Sequence, residues 1–179
     1  ATIYENEPSL WQTAGGFFEM HAMKMTAAEV DQFICAGLPA YAESGCLVET
    51  VTAESTTVRL AYRDDQLRPG GSLSGPTMMA LADTAMYAII LATLGPIGLA
   101  VTQNLNINFL QKPQPADLLA EARFLRLGRR SAVIDVHIRS SLDNSLVAQA
   151  TGTYAIPFSR TAEASITDAS SAAATGEGI

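Results

Sequence analysis

From Arg68 to Gly95 the chain reads RPGGSLSGPTMMALADTAMYAIILATLG. A turn rich in Gly, Pro and Ser leads into about five turns of nearly all-apolar helix, predicted over residues 76–94. Gly75-Pro76 is a helix start, because proline in the first turn loses no hydrogen bond. Ser74 and Gly75 are both acceptable capping residues. Gly95-Pro96 is a stop signal. Met78, Met79, Leu81, Met86, Ile89, Ile90 and Leu91 face every direction. A helix apolar all round is buried, in a protein core or in a membrane. Whatever else the chain forms must therefore enclose this helix.

One acid, Asp83, interrupts it. A carboxylate in apolar surroundings is costly unless it is paired or its pKa is raised. Two readings follow. Asp83 lies on the one wet stripe of the helix, or bonds Thr84 or another polar neighbour. Alternatively it is a general base or nucleophile, a role that perturbed acids in clefts often serve.

Composition narrows the setting. The 179 residues suit one domain with a sizeable core. A net charge of -7 argues against a nucleic-acid binder, which needs a basic patch. A local arginine cluster can still hold an anionic ligand. Two cysteines, Cys35 and Cys46, fit no metal motif, and with only His21 and His137 besides, no metal site is expected. The opening ATIYENEPSLW has no positive n-region and no apolar h-region, so a cytoplasmic protein is expected. The stretch 77–94 is long enough to span a bilayer. Asp83 at its centre and the amphipathic strands after it favour no membrane insertion.

Residues 1–25 form an N-terminal extension without a clear period. Thr26 to Gly37 is a short helix, with Thr26 and Glu29 at capping-box spacing. Residues 46–53 and 55–63 are strands rich in Val and Thr. Residues 64–73 are a loop. In Val101–Gln111, Leu105, Ile107 and Phe109 alternate with Asn104, Asn106 and Asn108, so one face should be buried and the other polar. Residues 117–127, 132–140 and 146–156 follow as an antiparallel meander. Residues 158–179 are rich in Ala, Ser, Thr and Gly and form a flexible tail. The expected class is α+β, an antiparallel sheet wrapped around a long central helix, with the domain at 26–157.

The segments GGSLSGPTMMALADTA, AVTQNLNINFLQKP, LGRRSAVIDVHI and LVAQATGTYAIP, in this order, resemble the hotdog-fold thioesterases of the phenylacetate-pathway (PaaI-like) acyl-CoA family. The resemblance covers roughly residues 26–157. It implies the hotdog fold, hydrolysis of an acyl-CoA thioester, and no cofactor, since coenzyme A enters as part of the substrate. It also implies a homodimer; the polar Asn face of the strand at 101–111 lies in solvent or between two dimers, so both a dimer and a dimer of dimers stay open. Where the family has His-Gly-Gly, this chain has Ser74, Gly75 and Pro76. The family acid falls on Asp83, as nucleophile or activator of water. The family Gly amide, which polarises the thioester carbonyl, falls on Gly75. An Asn or Gln seven residues before that Gly is replaced by Arg68. A water-positioning Ser or Thr on the next strand falls on Thr102.

The residues themselves add constraints. A helix N-terminus offers free N–H groups and a positive dipole end to a developing oxyanion. Pro76 has no N–H, so Gly75 is the natural donor; alternatively Gly75 only permits a tight turn. Asp83 lies eight residues on, about 12 Å along the axis. One thioester cannot touch both. Either one of the two is catalytic, or the site joins Gly75 of one chain to Asp83 of another. Arg126, Arg129 and Arg130 surround the turn after Gly128, where they either hold coenzyme A phosphates or form a solvated hairpin. Tyr87, one turn past Asp83, is placed to line an acyl pocket. His137 shares a face with Asp135 and Arg139 and reads as a surface histidine. Two other functions remain: an acyl-CoA-binding hotdog protein without turnover, and a hotdog enoyl-CoA hydratase or dehydratase.

Overall fold

The computed structural model describes residues 22–157. Apart from residues 22–25, the expected extension at 1–25 and tail at 158–179 lie outside the described residues. The first described residues strap onto the central helix: the Lys24 and Met25 N–H groups both bond Ala92 O, at 2.7 and 3.2 Å.

Helix α1 (Ala27–Gly37) opens with the expected capping box. Thr26 N–H donates to Glu29 Oε2 at 2.8 Å, and Glu29 N–H donates to Thr26 Oγ1 at 3.3 Å. A second helix, α2 (Pro39–Ser44), follows where none was expected. Pro39 takes its first turn and Gly45, at φ +82°, ends it. Strands β1 (Cys46–Val51) and β2 (Thr56–Leu60) are shorter than predicted: residues 52–55 turn between them, and β2 ends at Leu60, before residues 61–63. The loop expected at 64–73 is partly ordered. It holds a single 3-10 turn (Asp64–Gln66) and a two-residue hairpin of β3 (Leu67–Arg68) and β4 (Ser72–Leu73). Gly70 (φ +96°) and Gly71 (φ +68°) make its turn, in backbone conformations that side chains disfavour.

The central helix α3 (Gly75–Leu94) starts one residue before the predicted span. Ser74 caps it by accepting from Thr77 N–H at 3.3 Å, and the Gly95 N–H closes it onto Leu91 O at 2.8 Å. Strands β5 (Val101–Phe109), β6 (Leu118–Leu127), β7 (Ser131–Ser140) and β8 (Leu146–Ala155) complete an antiparallel six-stranded sheet in the order β1-β2-β6-β7-β8-β5. Inward rows such as Ala120 and Ala122, and Ala148 and Ala150, are small and fully buried. Ala82, Ala85, Ala88 and Ala92 of α3 are buried too. Small side chains on both surfaces let the helix lie close to the sheet. By composition and length α3 is also able to cross a membrane; here the sheet and α1 pack around it.

Two expectations are corrected. The described residues do not cover helix α3 on every side: Pro76, Met79, Ala80, Asp83, Thr84 and Tyr87 form one accessible or half-accessible stripe at helical spacing. The odd-numbered face of β5 is not fully buried either. Leu105 and Ile107 are half-buried and Phe109 is 51% exposed. Both surfaces lie at the same edge of the sheet, where β5 is the last strand.

Candidate active site

Asp83 stands on the open stripe of α3, half-buried. Its Oδ1 accepts two hydroxyl hydrogen bonds. Thr102 Oγ1 donates at 2.7 Å and the Tyr154 phenol donates at 2.7 Å. The same phenol lies 3.2 Å from the Asp83 carbonyl oxygen. Of the readings left open by the sequence, the wet stripe and the polar neighbours both hold, but the neighbours are Thr102 and Tyr154 and not Thr84.

The position of Thr102 depends on an irregularity. Along β5 the odd residues face the helix, so an unbroken period of two would turn Thr102 outward with Asn104. The pairing with β8 shifts between Thr102 and Asn104: Thr102 pairs Tyr154, Asn104 pairs Thr153, and Leu105 pairs Gly152. This bulge reverses the phase and brings the Thr102 hydroxyl to the helix side.

Tyr154 was not singled out from the sequence. It ends the inward row Ala148, Ala150, Gly152, Tyr154. The signal was present: a buried phenol in a row of small residues needs a hydrogen-bond partner. Its ring stacks on Tyr87, with centroids 6.4 Å apart and planes at 15°. Burial first, and then the negative charge of Asp83, push the Tyr154 phenol well above the usual tyrosine range. It therefore stays protonated and remains a donor. Burial also raises the Tyr87 phenol.

A cavity of about 360 Å³ opens over these groups, lined by Ile34, Leu38, Asp83, Tyr87, Thr102 and Tyr154 among others. Ile34, Leu38, Ala100 and Val101 give it apolar surface, and Asp83, Thr84, Thr102 and Tyr154 bring polar groups to the same wall. Tyr87 lines this cavity beside Asp83.

The remaining predicted residues are elsewhere. Gly75 is at the first position of α3, about 12 Å along the axis from Asp83. The Phe109 ring packs against it: a Cβ on Gly75 would lie 3.3 Å from the ring. Ser74 Oγ is occupied with Thr77, 3.3 Å from its N and 2.8 Å from its Oγ1. Arg68 is exposed on the β3–β4 hairpin, and its Nε donates to Ser72 Oγ at 3.1 Å. Arg129 and Arg130 are exposed in the turn between β6 and β7. Ser131 pairs Ala155, and Ala155 pairs Val101, so this turn is at the same end of the sheet as Thr102 and Tyr154. Two strand spacings, about 10 Å, separate the backbones. Arg126 follows another register shift, pairs Val133 and is turned to the outer face of the sheet. His137 is also on that face, 3.2 Å from Asp135 Oδ2, as a surface histidine.

A model of the thioesterase superfamily matches residues 70–146. Among solved structures, a candidate thioesterase from Silicibacter sp. TM1040 is 36% identical, with a TM-score of 0.71; the match covers 78% of this chain and 96% of that one. The phenylacetic acid degradation protein PaaI of Thermus thermophilus, solved as a point variant, is 27% identical at a TM-score of 0.59, covering 66% of this chain and 99% of that one. A thioesterase from Haemophilus influenzae shares the fold at 20% identity and a TM-score of 0.69, covering 78% and 95%. No curated protein matches the sequence.

Proposed function

Because the chain belongs to the thioesterase superfamily and has its hotdog fold, we propose that it is an acyl-CoA thioesterase whose site is shared across a homodimer. The observation that carries this reading is the Asp83 carboxylate, held by two hydroxyls in the wall of a cavity that it shares with Ile34, Leu38, Tyr87 and Val101. In this reading Asp83 takes a proton from an attacking water, or attacks the carbonyl carbon itself. The Gly75 amide of the other chain donates to the carbonyl oxygen as negative charge develops there. The C–S bond then breaks and coenzyme A leaves as a thiolate that takes up a proton: the one Asp83 took from the attacking water, or, where Asp83 attacked, one from the second water that splits the resulting acyl-Asp83 anhydride into the free acid and the restored carboxylate. Ser74 supports the donor by capping the helix. Arg68, beside the helix start, offers a cation to the carbonyl or to an anionic part of the substrate. Tyr87 lines the acyl pocket. Arg129 and Arg130, with Arg126 behind them, meet the coenzyme A phosphates.

Three features support the dimer. Among the described residues, the stripe of α3 that bears Asp83 is left accessible or half-accessible. The adjacent β5 is an edge strand with one row of backbone groups unpaired. Apolar side chains are exposed beside it, including Met79 at 41% and Val101 at 57%. A second copy related by a two-fold axis covers all three and sets its helix antiparallel to the first. Two such dimers then form the larger assembly, a dimer of dimers.

The test is a panel of acyl-CoA thioesters, with the released thiol followed by a chromogenic disulfide. Turnover of at least one member, abolished in Asp83→Asn, is expected. Tight binding of acyl-CoA without thiol release points to a binding module. Water addition to an enoyl-CoA points to a hydratase.

A further inference from the structure

The two oxygens of Asp83 are not equivalent. Oδ1 accepts from both Thr102 and Tyr154, each at 2.7 Å. Oδ2 accepts no hydrogen bond among the described residues. We propose that Tyr154 is a positioning residue: with Thr102 it pins Oδ1, and so presents Oδ2 as the oxygen that meets water or the thioester. This rests on the assignment of Asp83 as the reacting carboxylate and adds which of its atoms reacts and what aims it.

The physical argument begins with the torsion. Rotation of a carboxylate about its last bond is broad and two-fold, so an unrestrained Asp83 would exchange its oxygens freely. One donor would bias that rotation. Two donors from different strands, converging on one oxygen, fix it. They also engage the lone pairs of Oδ1, leaving those of Oδ2 available. An oxygen that already accepts two hydrogen bonds is the weaker base and nucleophile of the pair.

Tyr154 is built to hold this geometry. Its ring is buried and stacked on Tyr87. Its backbone pairs Thr102 on one side and Ala132 on the other, so the two donors rise from adjacent strands in one row. Its hydroxyl also touches the backbone carbonyl of Asp83. The phenol is therefore referenced to the helix itself and not only to a side chain. Catalytic groups gain most from such support, because rate falls steeply with small errors of angle.

Tyr154→Phe keeps the ring and removes the donor. The expected result is a melting temperature close to wild type, KM within about two-fold, and kcat lower by roughly 10- to 100-fold, as for loss of one hydrogen bond to a charged group. A role in packing alone would not separate kcat from KM in this way. The effect should not add to that of Thr102→Val, because both donors act on one oxygen. A folded Tyr154→Phe with wild-type kcat, beside an inactive Asp83→Asn, overturns the assignment of Tyr154 and leaves the thioesterase reading standing. Full activity in Asp83→Asn instead overturns the reading beneath it. If Tyr154→Phe does not fold, the wild-type protein is crystallised with S-acetonyl-coenzyme A, a ketone with no hydrolysable C–S acyl bond. Oδ2 should lie nearest the ketone carbon, with Thr102 and Tyr154 on Oδ1. Oδ1 nearest that carbon overturns the proposal.

Discussion

Gly152 of β8 lies directly beneath Met86 of α3: a Cβ built on the glycine would sit 2.5 Å from the Met86 sulfur and 2.9 Å from the Asn104 carbonyl oxygen. Met86 is one turn beyond Asp83 on the helix, and Tyr154 is two residues beyond Gly152 on the strand. The missing side chain thus sets how closely α3 approaches the sheet, and with it the reach from Asp83 to the Tyr154 phenol. Gly152→Ala is expected to destabilise the protein by about 1–3 kcal/mol, as overpacking in a full core does. Thermal or denaturant unfolding measures this. Unchanged stability would mean that the helix shifts without cost.

Asp83→Asn should lower kcat by several orders of magnitude in a protein that still folds. The asparagine oxygen can still accept from Thr102 and Tyr154, so packing is kept while the charge is lost. Turnover and melting are measured on the same preparation. A single turnover in oxygen-18 water tests the nucleophilic role: label in the Asp83 carboxylate marks an acyl-Asp83 anhydride opened at the aspartate carbon.

Arg129→Ala should raise KM for an acyl-CoA with little change in kcat, the pattern of a lost uniform-binding contact. Arg129 is exposed, so the effect should shrink as salt rises and screens it. Initial rates at low and high salt test this, and an unchanged KM at low salt assigns the turn to solvent.

Phe109→Asp should weaken self-association, because Phe109 is 51% exposed at the end of the edge strand β5 and packs on Gly75 at the helix start. Sedimentation or light scattering should show a smaller species, and activity should fall with it. A variant that keeps both its size and its activity would show that this edge is not the interface.

Mixing two inactive variants tests the shared site directly. Asp83→Asn and Gly75→Pro, the latter removing the amide donor and first checked for folding, are combined under conditions that exchange subunits. Random exchange makes about half the dimers mixed, and each mixed dimer has one intact site. Roughly a quarter of wild-type activity should return. No recovery, with exchange proved by mass spectrometry, places the site within one chain.

Much of this was legible in the chain itself. The Gly75-Pro76 start and the Gly95-Pro96 stop bound α3 because caps are local chemistry, readable without neighbours. Asp83 stood out because a lone charge in an apolar helix must be explained somewhere. Inward alternation on the strands marked the sheet, since a period of two is a property of the backbone. What local rules cannot report is phase after a bulge: the shift between Thr102 and Asn104 brings onto Asp83 a threonine that an unbroken period of two would turn outward. Nor do they report which inward residue meets which helix position, and so the partner of the Tyr154 phenol appeared only in three dimensions. Apolarity in a sequence says that a surface leaves water, not what covers it. Only the tertiary structure decided that one stripe of α3 and the rim of β5 stay uncovered by the chain's own sheet, because a six-stranded sheet curved around one helix reaches its edge before that helix is enclosed.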